Sequence, residues 1–458
     1  MSKPPRTVAR AAAGMGAATA ASRVLGAVRA LVIAYVLGTT DLGNAFQGSN
    51  TFSSVLFELL AAGALSAVLV PTFVELFDAG ADDEAERIAG GFLGIALMAM
   101  GAISVVGIVA APWLASLLTV AVDDPSVAAQ QQELTAFLLR FFVPQIVLYA
   151  IGAVATAVLH ARRVFALPAI APIGNTVVLV GSLLIFRAMV GPEPGLALST
   201  GEKLVLALGG TLGVAAFVAL PALALRGQGF RLRPVWGRQH PGVRQLLRLS
   251  GWASLQHTGA GLLLLVAIVV GGGVEGGVVA YQVAFVFFLG PYGVLAQPIH
   301  TAVLPNLVLE AGRDDHDAFA TSLRWALSSM AVVLLPVSAA MVALAGPLMG
   351  LLAFGRATNG GGAELLAAGL GSLALGLYAY GAFLLLARAW YALGDSRTPA
   401  LAAVGAAAVG SVVMIGAAGP TSGPALVFAL GLGHSVGFAV AGLVLGVQLR
   451  RRLGHRLL

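Results

Sequence analysis

Two arginines interrupt the first apolar stretch of the chain, Arg23 and Arg29, with Gly26 between them. On a helix of 3.6 residues per turn they stand about 9 Å apart along the axis and about 120° apart around it. They do not share one strict face, yet two long side chains at that spacing can converge on one anion, and Gly26 permits local bending. A guanidinium stays charged and forks onto phosphate or carboxylate oxygens, so the chemistry indicated is anion binding. The alternative has Arg29 paired with Glu58 and Arg23 snorkelling toward the cytoplasmic interface. Position alone leaves both open.

Other polar groups inside apolar stretches are few, and such groups are costly enough in a bilayer to mark a site or a pathway. Asn44, Gln47, Asn50 and Glu58 follow the arginines and are candidate cavity residues, with Asn44, Gln47 and Glu58 joining Arg23 and Arg29 as the expected substrate contacts. Their counterparts in the second half are Gln282, Gln297 and His300, and two further stretches add Gln256, His257 and His434. His257, Gln282 and His300 are the candidate coupling or cavity residues, although an intramembrane histidine more often donates a hydrogen bond between helices. Arg140 is expected as an interface anchor.

Signatures of catalysis and of metal or cofactor binding are poor. There is no cysteine, hence no thiolate nucleophile or ligand. The 7 histidines are scattered, with no pair at metal-ligand spacing on one helix. Gly271-Gly272-Gly273 and Gly360-Gly361-Gly362 lack the strand, helix and lysine of a phosphate-binding loop and are expected as turns. Acidic residues at 82–86 and 314–317 look like solvated connectors. A non-enzyme without cofactor or metal is the expectation.

The elements that must position these residues follow from composition. With 59% hydrophobic and 10% charged residues and a mean hydropathy of +0.93, the chain is a polytopic membrane protein. Its net charge of +6 resides in short loops between apolar stretches, where basic residues set topology; nucleic acid is not an expected partner. The first apolar stretch is too long for a cleaved leader and runs straight into another, so the amino terminus is expected to be retained.

About twenty apolar residues cross a bilayer, which predicts about twelve spans, near 12–38, 45–76, 88–119, 134–160, 166–189, 202–225, 246–271, 276–308, 320–352, 364–390, 399–419 and 424–448. Placing both termini in the cytoplasm puts Arg87, Arg162, Arg163, Arg226 to Arg248 and Arg450 to Arg452 inside, and leaves only Arg187, Lys203 and Arg356 outside. The second half repeats the first at an offset of roughly 230 residues, as paired membrane halves do. Leu148-Tyr149-Ala150 returns as Leu377-Tyr378-Ala379, Ala45-Phe46-Gln47 as Ala280-Tyr281-Gln282, and Val70-Pro71 as Leu304-Pro305. The predicted architecture is all-α: two six-helix bundles, residues 1–225 and 246–458, related by pseudo-twofold symmetry around a central cavity and joined by a basic cytoplasmic linker, 226–245. The linker's charge orients the second half, with binding of an anionic headgroup as its alternative role.

Ser22-Arg23-Val24-Leu25-Gly26, then Arg29, Gly38 and Asn44-Ala45-Phe46, resemble the opening of the MurJ/MviN-type lipid II flippases. The resemblance continues through Ala62-Gly63-Ala64-Leu65-Ser66, Val70-Pro71, Pro291-Tyr292-Gly293-Val294-Leu295 and Asp395-Ser396-Arg397-Thr398-Pro399. It implies an inner-membrane member of the multidrug/oligosaccharidyl-lipid/polysaccharide exporter superfamily that moves a polyprenyl-pyrophosphate-linked peptidoglycan precursor outward by alternating access. Arg23 and Arg29 then match family arginines that bear on the pyrophosphate. The partners implied are that anionic lipid-linked substrate, membrane lipids and cell-wall synthesis proteins. The sequence departs from the family pattern at Ala30, Asn44, Phe57, Glu58 and Val286, and it ends after span twelve where many relatives carry two further helices. The alternatives are a same-fold exporter of another lipid-linked glycan or an amphipathic drug, and a non-transporting cell-wall scaffold.

Overall fold

The computed structural model describes residues 5–59, 69–237 and 240–454, which form α-helices joined by short turns, with no strand among the described residues. The first half carries α1 (Pro5–Val36), α2 (Asp41–Phe57), α3 (Val70–Asp78), α4 (Asp82–Leu118), α5 (Pro125–Phe142), α6 (Gln145–Ala161), α7 (Ala166–Val190) and α8 (Thr200–Gly227). The second carries α9 (Pro241–Gly271), α10 (Gly277–Pro291), a π-helical turn (Tyr292–Ala296) and α11 (Gln297–Gly312). It continues with α12 (His316–Leu352), α13 (Gly362–Leu375), α14 (Leu377–Ala392), α15 (Arg397–Ala418) and α16 (Gly423–Arg452).

The expected spans fall on these helices in order, except that the middle of span 45–76, residues 60–68, lies outside the described residues. Among the described residues, 8 helices are long and apolar enough to cross a membrane, taking α5 with α6 and α10 with α11 as continuous. The count is 9 if α13 and α14, bent by 46°, form one span. Large apolar side chains such as Trp113, Val332 and Leu351 stand 77%, 75% and 84% exposed. Such exposure suits acyl chains as the solvent rather than water.

The helices pack as two compact units, one built from residues 1–36, 48–117 and 129–254, the other from 37–47, 118–128 and 255–458. In the first, α8 lies along α7 and α6, α1 along α7, and α3 against α6. In the second, α16 lies along α15, α13 and α14, while α12 packs on α11, α13 and α14. Close approach of α15 to α16 depends on Gly410 and Gly433: a Cβ on the first would meet the second's carbonyl oxygen at 2.6 Å.

Each unit contains a helix interrupted near its middle, at Pro144 between α5 and α6 and, with the larger bend, at Gly376 between α13 and α14. Pro144 ends α5, freeing carbonyls that a bilayer cannot hydrate. The Ser53 hydroxyl donates to the Phe142 carbonyl and that of Thr211 to the Phe141 carbonyl at 3.1 Å. In the second unit the bend at Gly376 is served by Ser435, which donates to the Ser372 carbonyl at 2.8 Å, and by Ser338, which donates to the Ala374 carbonyl. The repeated tripeptides Leu148-Tyr149-Ala150 and Leu377-Tyr378-Ala379 follow these breaks directly, so the sequence repeat is a structural one: a break with its carbonyls satisfied, then a tyrosine.

The segment after α8 is an extended strap laid across α4 rather than a loose connector. The Val235 amide donates to the Gly90 carbonyl at 3.0 Å and the Arg231 amide to Glu86 Oε1 at 2.6 Å. Arg162 donates to the Gln228 carbonyl at 3.1 Å and to Asp82 Oδ1 at 2.6 Å, with its guanidinium 4.7 Å from the Phe77 ring centroid and 5.2 Å from that of Phe230. His240 Nε2 lies 3.1 Å from Glu84 Oε1. The acidic run 82–86, expected as a solvated connector, instead holds the strap: Glu86 accepts from the Arg231 amide, Glu84 meets the His240 imidazole, and Asp82 fixes Arg162. Beneath them Phe73, Ile88, Phe92, Val158, Leu225 and Phe230 form a buried apolar core.

Candidate functional site

The first unit brings Arg29, Glu58 and Tyr149 together. Arg29 sits on α1 directly before buried Ala30 and is itself half-buried, whereas Arg23, nearly two turns earlier, is exposed. Tyr149 lies on α6, just past the Pro144 break, and its phenol is within the electrostatic reach of both Arg29 and Glu58. Phe57 flanks Tyr149 with ring centroids 5.3 Å apart, and Phe217 does so from α8 at 6.4 Å, edge-on. Glu58 is exposed, and among the described residues no ion pair within 4.0 Å joins it to Arg29. The pairing that the sequence left open is therefore not formed.

Chemically, this arrangement offers one permanent cation with a forked set of donors, one hydroxyl, and aromatic faces beside them. It can hold a phosphate oxygen on Arg29 while Tyr149 donates and the rings cover a neighbouring apolar or sugar surface. Sequence reasoning had singled out Tyr149 only as a repeat anchor. That it carries the one polar side-chain atom of Leu148-Tyr149-Ala150 was the available signal.

Asn44, Gln47, Gln282 and His300 belong to the second unit. Asn44 is buried in the second unit, where its Nδ2 donates to the Val274 carbonyl at 2.8 Å and its Oδ1 accepts from the Val278 amide at 3.0 Å. Both ends of the amide are thus committed, one to the turn before α10 and one to its first turn. Asp41, at the outer end of α2 ahead of the expected span, has its carboxyl pushed up to about 6 by burial and by the charge of Glu275. Gln47 and Gln282 are buried. His300 is fully buried, with Nδ1 3.5 Å from the Tyr292 hydroxyl and Nε2 3.0 Å from Met330 Sδ. The side chain of His257 lies outside the described residues.

His434 accompanies an aromatic cage in the second unit. Its Nδ1 lies 3.0 Å from the Tyr281 hydroxyl, and the rings of Phe285, Phe288 and Phe438 stand 5.1, 6.4 and 4.9 Å away. The aromatic run from Phe285 to Phe288 thus contributes to internal packing, with Phe288 buried. Beside it, Tyr378, the repeat counterpart of Tyr149, lines a groove of about 510 Å³ with Leu327, Ala382, Gly442, Gly446 and Arg450. Among the described residues no group of three His, Asp or Glu side chains is placed to hold a metal ion.

A family model described as "Lipid II flippase MurJ" matches residues 33–456. The probable lipid II flippase MurJ of Rhizobium tropici is 26% identical over 405 residues, covering 88% of this chain and 74% of that protein. The lipid II flippase MurJ of Burkholderia cenocepacia is 26% identical over 443 residues, covering 95% and 82%. Among solved structures, lipid II flippase MurJ in an inward closed conformation superposes with a TM-score of 0.76 at 18% identity, covering 95% of this chain and 87% of that one. An inward-facing multidrug resistance MATE family transporter of the MOP superfamily superposes with a TM-score of 0.73 at 15% identity, covering 95% of both. At these identities the superpositions speak for the fold alone. The family match begins after Arg23 and Arg29, so the part assigned to those residues stands on their geometry.

Proposed function

The chain belongs to the lipid II flippase MurJ family, and from that premise we propose that it carries the lipid-linked peptidoglycan precursor lipid II across the inner membrane by alternating access. The observation that carries the site assignment is the Arg29–Tyr149 pair with Phe57 and Phe217 beside it. A permanent cation and a hydroxyl inside an apolar bundle suit a phosphate that must leave water, and the rings suit the group attached to it.

In this account Arg29 is the principal anion contact and Arg23, exposed on the same helix, gathers the anion by charge. Glu58, unpaired with Arg29, lowers the local positive potential and so helps release. Gln47 is retained as a polar contact, while Asn44 serves as the cap that ties residues 37–47 to α10. His257, Gln282 and His300 remain the candidates for coupling. The protein works as a transporter rather than a catalyst, with both termini cytoplasmic as the distribution of basic residues favours. The sequence halves 1–225 and 246–458, joined by residues 226–245, are the bodies whose reorientation would alternate access, with residues 37–47 and 118–128 packing in the compact unit of the second half. Cell-wall synthesis proteins are the partners this role calls for.

The test is complementation of a strain depleted of its own lipid II flippase, at matched membrane levels. Wild type should restore growth and Arg29→Ala should not. Failure of correctly inserted wild type to restore growth would move the cargo to another lipid-linked glycan.

A further inference from the structure

The strap and the helices beneath it enclose a pocket of about 660 Å³ that lies wholly within the first unit. Its rim carries Arg226, Arg231 and Arg233, and no acidic residue lines it. Its floor is apolar, made by Leu93 and Leu97 of α4 and Ile151 of α6. Ile151 lies ten residues before the end of α6 at Ala161, about 15 Å along the helix. The pocket therefore pairs a cationic rim with an apolar lining that reaches well inside the end of α6, room for a headgroup and the start of a hydrocarbon chain.

Two neighbouring features suit a mouth at a membrane surface. Trp236 and Val235, on the same strap, are 61% and 51% exposed. An exposed indole beside arginines is the composition of the headgroup layer, where amphipathic rings settle. The rim arginines are also exposed, whereas Arg162 is already occupied by Asp82 and by the Phe77 and Phe230 rings. The strap itself is held by Glu86 and Gly90, and Arg226 lies in the last turn of α8, so all three cations are presented on a fixed backbone.

We propose that this pocket binds an anionic phospholipid of the cytoplasmic leaflet, with the phosphodiester held by Arg226, Arg231 and Arg233 and an acyl chain laid over Leu93, Leu97 and Ile151. The lipid is a resident ligand, distinct from the cargo, and it fastens the strap to the bilayer. Each arginine near an anionic surface contributes enough to change affinity about fivefold.

The experiment uses the full chain in nanodiscs of phosphatidylcholine, photolabelled with a reactive phosphatidylglycerol and, separately, with the matching phosphatidylcholine. Labelling should favour phosphatidylglycerol and map to the α4 and strap peptides. Arg231→Ala with Arg233→Ala should weaken it about 25-fold, while the two lysine replacements should keep most of it. Ala222→Trp, which fills the pocket and leaves the arginines, should abolish it, and decides the matter if the alanine pair fails to fold. Equal labelling by both lipids, or labelling unchanged in Ala222→Trp, overturns the proposal. Displacement by soluble glycerol phosphate at the concentration that displaces intact lipid overturns it too, because a free-anion site needs no apolar floor.

Discussion

Replacing Arg29 with alanine should weaken binding of lipid II far more than replacing Arg23, and the structure sets the ratio. Arg29 is half-buried within electrostatic reach of Tyr149, whose ring packs on Phe57, and there a guanidinium–phosphate contact is charge-assisted and poorly hydrated. Hydrogen bonds to charged groups contribute about 1.5–3 kcal/mol each, and the fork supplies two. After the cost of desolvating the fork, about 3 kcal/mol remains, or roughly a 150-fold loss of affinity in Arg29→Ala. Arg23 is exposed, and an exposed ion pair contributes no more than about 1 kcal/mol, so Arg23→Ala should lose at most about fivefold. Arg29→Lys keeps the charge and loses the fork, placing it between the two at about tenfold. The assay is titration of the purified protein in nanodiscs with lipid II, with thermal unfolding of each variant as the folding control. Equal losses in the two alanine variants, or unchanged affinity in a folded Arg29→Ala, would refute the reasoning.

Glu58→Gln removes a negative charge facing the same phenol as Arg29, and lipid II affinity should rise about threefold in the same titration. Asn44→Ala deletes both hydrogen bonds to the start of α10 and the turn before it; thermal unfolding should show a loss of about 2 kcal/mol with lipid II affinity unchanged. In Gly94→Ala the added Cβ would sit 2.1 Å from the Val235 carbonyl oxygen, so the strap must shift, and its amides should exchange hydrogen faster than in wild type. The Asp41 carboxyl, raised to about 6, binds its proton more tightly folded than unfolded. Its contribution to stability is present in full below the unfolded value near 4 and is lost as pH rises toward 6 and beyond. The melting temperature of wild type should therefore fall across that window, and that of Asp41→Asn should fall less.

The helical architecture was legible because apolar length and loop charge are local properties of the chain. The expected span 134–160 shows the limit: Pro144 was visible within it, but the hydroxyls of Ser53 and Thr211 that make a break there tolerable come from distant helices. Asn44 illustrates the same point. Its polarity in an apolar stretch was legible and suggested a cavity, yet only the fold shows the Val274 carbonyl and Val278 amide at either end of its side chain. Arg29 was found from charge in an apolar stretch, whereas Tyr149 was not, because a tyrosine in a membrane helix is ordinary until a cation and a carboxylate stand near it. The strap escaped for a further reason: a run of arginines and prolines reads as solvated, and nothing in it announces that Gly90 and Gly94 leave room for its backbone.

The most direct measurement of the central claim is the fraction of lipid II exposed on the outer leaflet. It would be read with an externally added lipid II-degrading enzyme, in cells depleted of their own flippase and expressing this chain. Transport by this protein predicts that exposure returns with wild type and stays at the depleted level with Arg29→Ala at equal membrane abundance. Exposure that stays at the depleted level with correctly inserted wild type, or that returns equally with both, would contradict it.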